Sequence, residues 1–98
     1  MLKLLVAQIN CVVGDVSSNA EKILSIVEQA KLDDVDLVIT PELSLCGYPP
    51  EDLLLRPDFT KDCDSKLNQL AQKITGITAI IGHPHKTEQG LYNAASVI

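Results

Sequence analysis

The sequence predicts an α/β domain built around a parallel crossover, and three observations carry that prediction. A dense apolar run opens the chain, with Leu2, Leu4, Leu5, Val6 and Ile9 close together. Apolar residues at helical spacing follow from Ala20 to Ala30, and a second short run, Val35 to Ile39, comes soon after them. Strand, helix and strand within about forty residues is what parallel neighbours require, because only a crossover can return the chain to the same end of a sheet.

Composition sets the outer limits. Ninety-eight residues, 46% of them apolar, suit one small globular domain. The formal net charge of -5 comes from acids spread along the chain, with no basic stripe to follow a phosphate backbone, so nucleic acid is disfavoured as a partner. Gln8 and Asn10 interrupt the first apolar run, which is too short to span a bilayer and lacks a small-residue cleavage site. The expectation is a cytoplasmic protein with no membrane partner. Cys11, Cys46 and Cys63 are odd in number and form no CxxC pair, which favours reduced thiols over disulfides or a zinc site. Neither GxGxxG nor GxxxxGK[ST] occurs, so these residues are expected to bind no nucleotide cofactor.

Each element can be justified in turn. The first strand ends at Gly14-Asp15, and Ser18 with Glu21 reads as a capping box opening a helix that presents Ala20, Ile23, Leu24, Val27 and Ala30. The second strand, Val35 to Ile39, is stopped by Thr40-Pro41, since proline cannot donate to the ladder. Gly47-Tyr48-Pro49-Pro50 is a turn, and Glu51 to Leu55 can form a single helical turn halted by Arg56-Pro57. There Asp52 and Arg56, four apart, read as a surface pair. Asp58 caps a further helix whose face is Phe59, Cys63, Leu67, Leu70, Ala71 and Ile74, closed by Gly76. Ile77 to Ile81 is a strand ending at Gly82, Leu91 to Ile98 is another, and the polar segment between them reads as a hairpin loop. The predicted order is β-α-β-loop-α-β-β.

In such crossovers, functional groups gather where the chain leaves the carboxyl end of a strand, and Glu42 stands there, stiffened by Pro41. A carboxylate held at that rim with partial desolvation can act as a general base, whereas a solvated loop glutamate does so poorly. Cys46 lies four residues on and reads as a small buried thiol. His83 and His85 flank Pro84 without a third ligand and read as loop residues, not a metal site.

The string Thr40 to Leu55, with Pro41-Glu42 followed by Gly47-Tyr48, resembles the first catalytic motif of the nitrilase superfamily, and its continuation Gly47 to Phe59 resembles the glutaminase domain of bacterial glutamine-dependent NAD synthetases. Ala7-Gln8-Ile9-Asn10, Val13-Gly14-Asp15, Asn19 and Leu91-Tyr92-Asn93-Ala94-Ala95 strengthen the likeness, while Asp58 to Thr78 agrees only in amphipathic pattern.

The resemblance implies that residues 1–98 are the N-terminal segment of a nitrilase-like α-β-β-α sandwich, with the rest of that domain and a synthetase domain outside this chain. It also implies a Glu-Lys-Cys triad in which Glu42 is the general base, with Tyr48 as a substrate-binding residue. The lysine and cysteine then fall beyond the last strand, and the segment alone is inactive. The implied parent hydrolyses glutamine and, in a second domain using ATP and Mg, amidates deamido-NAD to NAD; a homo-oligomer is implied as well. Two other readings remain open on the residues themselves: a stand-alone amidase of the same superfamily, and a small non-catalytic α/β domain. The first reading predicts that the 98 residues expose apolar sheet surface.

Overall fold

A computed structural model describes all residues, Met1 to Ile98. The order is β1 (Leu4–Val6), α1 (Val16–Leu32), β2 (Leu37–Ile39), a 3₁₀ turn (Glu51–Leu55), α2 (Pro57–Lys73), β3 (Thr78–Thr87) and β4 (Gly90–Val97). The strands form one sheet in the order β1-β2-β3-β4. β1, β2 and β3 are parallel, and β4 returns antiparallel along β3. The predicted crossover and element order are therefore present.

Several boundaries differ from expectation, each for a local reason. The N-cap of helix α1 lies three residues before the expected Ser18: it is Asp15, which accepts a bond from the Ser18 amide at 3.1 Å, and this brings Val16 into the core. β1 stops at Val6 because β2, its only neighbour, ends at Ile39. β2 starts at Leu37, since the Val35 amide still bonds the Ala30 carbonyl at 3.0 Å in the turn that closes α1. In α2 Pro57 holds the first helical position, Asp58 follows it in the first turn, and Ala71 faces solvent. Asp52 and Arg56 form no ion pair; the segment is a 3₁₀ turn with three residues per turn, so a spacing of four does not align their side chains.

The largest departure is β3. It runs through Gly82 and both histidines, leaving only Glu88 and Gln89 between the strands. Ala79 and Ile98 exchange both backbone bonds, at 3.0 and 2.8 Å, so by alternation the Pro84–Asn93 pair is a non-hydrogen-bonded one. The missing amide of Pro84 thus points away from β4, on the side where β2 has already ended, and costs the ladder nothing. His83 is buried, its Nε2 lies 2.7 Å from Ser96 Oγ and its Nδ1 3.0 Å from the Pro84 carbonyl, while His85 is exposed.

Both helices cover one face of the sheet. Val38, Ala79 and Ile81 pack there against Ile23, Val27, Cys63 and Leu70. The other face carries Leu4, Val6, Ile39, Ile80 and Val97, with Val6 69% and Val97 72% exposed, as the first reading predicts. No helix is long and apolar enough to cross a membrane.

One polar side chain organises the loops at the carboxyl end of the sheet. Asn19 is wholly buried; its Nδ2 donates to the Val12 carbonyl (2.8 Å) and the Leu45 carbonyl (3.1 Å), and its Oδ1 accepts from the Val12 amide (2.8 Å). Replacing it strands three backbone groups, of which the Leu45 carbonyl is buried. Asn19→Ala is expected to destabilise the protein by roughly 2–3 kcal/mol, checked by urea unfolding.

All three cysteines are free, and burial raises their pKa values, Cys46 to about 11 and Cys63 to about 12. Because the folded state holds these protons more tightly than the unfolded state does, the contribution of these thiols to stability is fully present below pH 9 and is lost as pH rises from 9 towards 12. The urea midpoint of the wild type should fall more steeply over that range than that of the Cys46→Ala/Cys63→Ala protein.

Candidate active site

The segment after β2 folds back as a tight loop, and two glycines let it do so. A β-carbon on Gly82 would stand 2.4 Å from the Pro41 carbonyl oxygen and 2.7 Å from the Leu43 nitrogen, so the loop backbone lies directly on β3. At the other end Gly47 has φ of +82°, and a β-carbon there would meet the Val13 backbone at 2.6 Å. The Gly14 amide also bonds the Cys46 carbonyl at 3.0 Å. The loop is clamped between β3 and the segment leading into α1.

Hydroxyl groups complete the clamp. Thr40 Oγ1 lies 2.8 Å from Ser44 Oγ, donates to the Ile80 carbonyl (3.0 Å) and accepts from the Gly82 amide (3.2 Å). The Leu45 amide donates to the Gly82 carbonyl at 3.1 Å. These bonds satisfy the strand ends left open where β2 stops.

Glu42 sits at the apex of this loop. It lines an open groove of about 370 Å³ with Thr40, Ile80, Gly82, Asn93 and Ala95, and is the one ionisable residue there. Its side chain is exposed, in contrast to the expected partial desolvation, because these residues supply only one wall. The single group bonded to its carboxylate is Asn93, whose Nδ2 donates to Oε1 at 2.5 Å.

The other candidates lie apart from the groove. Tyr48 is 64% exposed and is not among the groove's lining residues. Cys46 is fully buried behind the loop, its thiol bonded to the Gly47 carbonyl at 3.3 Å; with a pKa near 11 it is protonated at neutral pH and is no nucleophile. The two histidine rings meet edge to face at 6.3 Å, and no three His, Cys, Asp or Glu residues are grouped to hold a metal ion. Asn93 is the groove residue that sequence reasoning assigned no role. Its signal was present: in the outward row Leu91, Asn93, Ala95, Val97 it is the one polar side chain.

Gly82 offers a direct test of the clamp. Gly82→Ala must displace the loop backbone, and an overpacking cost of about 1–3 kcal/mol is expected. The shift should appear as a lowered urea midpoint together with altered amide resonances for Pro41 to Leu45.

The pattern of the carbon-nitrogen hydrolases matches residues 3–98. The glutamine-dependent NAD(+) synthetase of Xylella fastidiosa strain Temecula1 is 44% identical over 98 residues, covering 99% of this chain and 18% of that protein. The solved structure of the glutamine-dependent NAD+ synthetase of Acinetobacter baumannii, in complex with adenosine diphosphate, has a TM-score of 0.91 at 39% identity, covering 99% of this chain and 18% of that one. An amidase from Nesterenkonia sp. shares the fold, with a TM-score of 0.81 at 21% identity over 98% of this chain and 37% of that one. The chain thus spans under a fifth of the length of the synthetases it matches. Matched from its third residue to its last, and sharing the α/β fold of these enzymes, the chain belongs to the carbon-nitrogen hydrolase family.

Proposed function

We propose that residues 1–98 are the N-terminal segment of the glutaminase domain of a glutamine-dependent NAD synthetase, with Glu42 as its general base. The observation that carries this reading is 44% identity to such a synthetase along 99% of the chain. Glu42 at the rim of the groove supports it, because a base must reach its proton from an open side. The rest of the domain, in this reading, packs a second sheet on the exposed face of Val6, Ile39, Ile80 and Val97 and walls in the groove.

In the chemistry we assign, Glu42 takes the proton of a cysteine thiol from outside this segment, and the sulfur attacks the carboxamide carbon of glutamine. A thioester forms, the carbon–nitrogen bond breaks with the proton returned to the leaving ammonia, and water hydrolyses the thioester. A lysine, also outside this segment, and backbone amides hold the oxyanion. Tyr48, exposed beyond the same loop, is assigned to substrate contact. ATP and Mg serve the amidation of deamido-NAD in another domain. A homo-oligomer in the cytoplasm completes the proposal; the three unpaired thiols support only the reducing compartment.

Glu42→Gln in the whole protein tests the assignment. Glutamine-dependent NAD formation is expected to fall about 10²- to 10⁴-fold, with ammonia-dependent formation unchanged. Retained glutamine use would remove Glu42 from the mechanism. A wild-type protein that makes no NAD from ammonia would remove the synthetase assignment and leave an amidase.

A further inference from the structure

We propose that Asn93 is a positioning residue for Glu42: its amide nitrogen holds Oε1 and leaves Oε2 as the oxygen that receives the thiol proton. The inference rests on the reading of Glu42 as general base and extends it to a residue on a different strand, 51 positions away in sequence.

Three observations support it. The Asn93 amide is the only group bonded to the Glu42 carboxylate. An ionised carboxylate only accepts hydrogen bonds, so the amide must present nitrogen to it; one oxygen is thereby occupied and the other stays free. Second, the space between them is built from small residues. Ala95 pairs with Gly82, against which the Glu42 loop packs, and Asn93 lies two residues further along the same face of β4. A side chain at Gly82 would push away the Pro41–Leu43 backbone that carries Glu42. Third, the register that presents Asn93 is fixed from both faces. On the covered face His83 Nε2 meets Ser96 Oγ at 2.7 Å, and Pro84 is admissible only where its nitrogen points away from β4. A slip of one residue would turn Asn93 to the helix side.

Without this bond a glutamate on an exposed loop apex samples several rotamers, and only some aim Oε2 at the cysteine thiol. Misplacement of a base by about 1 Å costs on the order of 100-fold in rate. Binding of glutamine involves other groups and should be little altered.

The test measures glutaminase kcat and KM in the whole protein for two variants, with ammonia-dependent NAD formation as the control for folding. Asn93→Ala is expected to lower kcat for glutamine about 10- to 100-fold with KM within about twofold. Asn93→Asp keeps the shape, removes the donor and adds a like charge, so it should lose at least as much. Wild-type kcat in Asn93→Ala overturns the proposal, as does recovery in Asn93→Asp, which would show that shape alone matters. Equal loss of ammonia-dependent formation would also overturn it, by showing a folding role. If Glu42→Gln itself retains glutamine use, the general-base reading fails first, and the two failures are told apart.

Discussion

The approach of the Pro41–Leu43 backbone to Gly82 is the contact on which the site depends. A β-carbon there would lie 2.4 Å from the Pro41 carbonyl oxygen, so the loop can rest on β3 only because residue 82 has no side chain. From that contact follow the Thr40 and Ser44 bonds to β3 and the Leu45 amide bond to the Gly82 carbonyl. Gly47 and Asn19 secure the far end against the segment before α1. Glu42 is therefore carried on a backbone whose position is set at both ends.

That loop contains strain that burial offsets. Leu43 has φ of +50°, a conformation that costs a residue with a β-carbon about 1–2 kcal/mol. Its side chain is buried in the core, and burying a leucine contributes roughly 1.5–3 kcal/mol. The two terms are similar, with the balance on the side of the observed turn. The turn in exchange directs Glu42 outward while Leu43, Leu45 and Cys46 face in, which separates the Glu42 carboxylate from the packing residues within five positions.

Much of the fold was legible because the periods were clean. The apolar spacing of α1 and α2 and the β-branched runs of β2 and β3 give the correct element types and order. The errors lie where a tertiary partner decides. β3 continues past Gly82 because β4 offers a ladder there, and Pro84 survives because its pairing position needs no amide. The Ser18 cap yields to Asp15 because Val16 has core to fill. Asn93 lacked a role because its partner is 51 residues away, and no local pattern joins them.

Sequence alone determined the crossover, the glutamate at the end of its second strand and the family likeness, since these depend on residue type and short-range spacing. Only the tertiary structure decided that Glu42 is exposed in this segment, that Asn93 is its bonded partner, that Cys46 is sealed behind the loop and that His83 belongs to a strand. Those outcomes follow from strand register and from which backbone can approach a glycine, and both are settled by contacts between residues far apart in the chain.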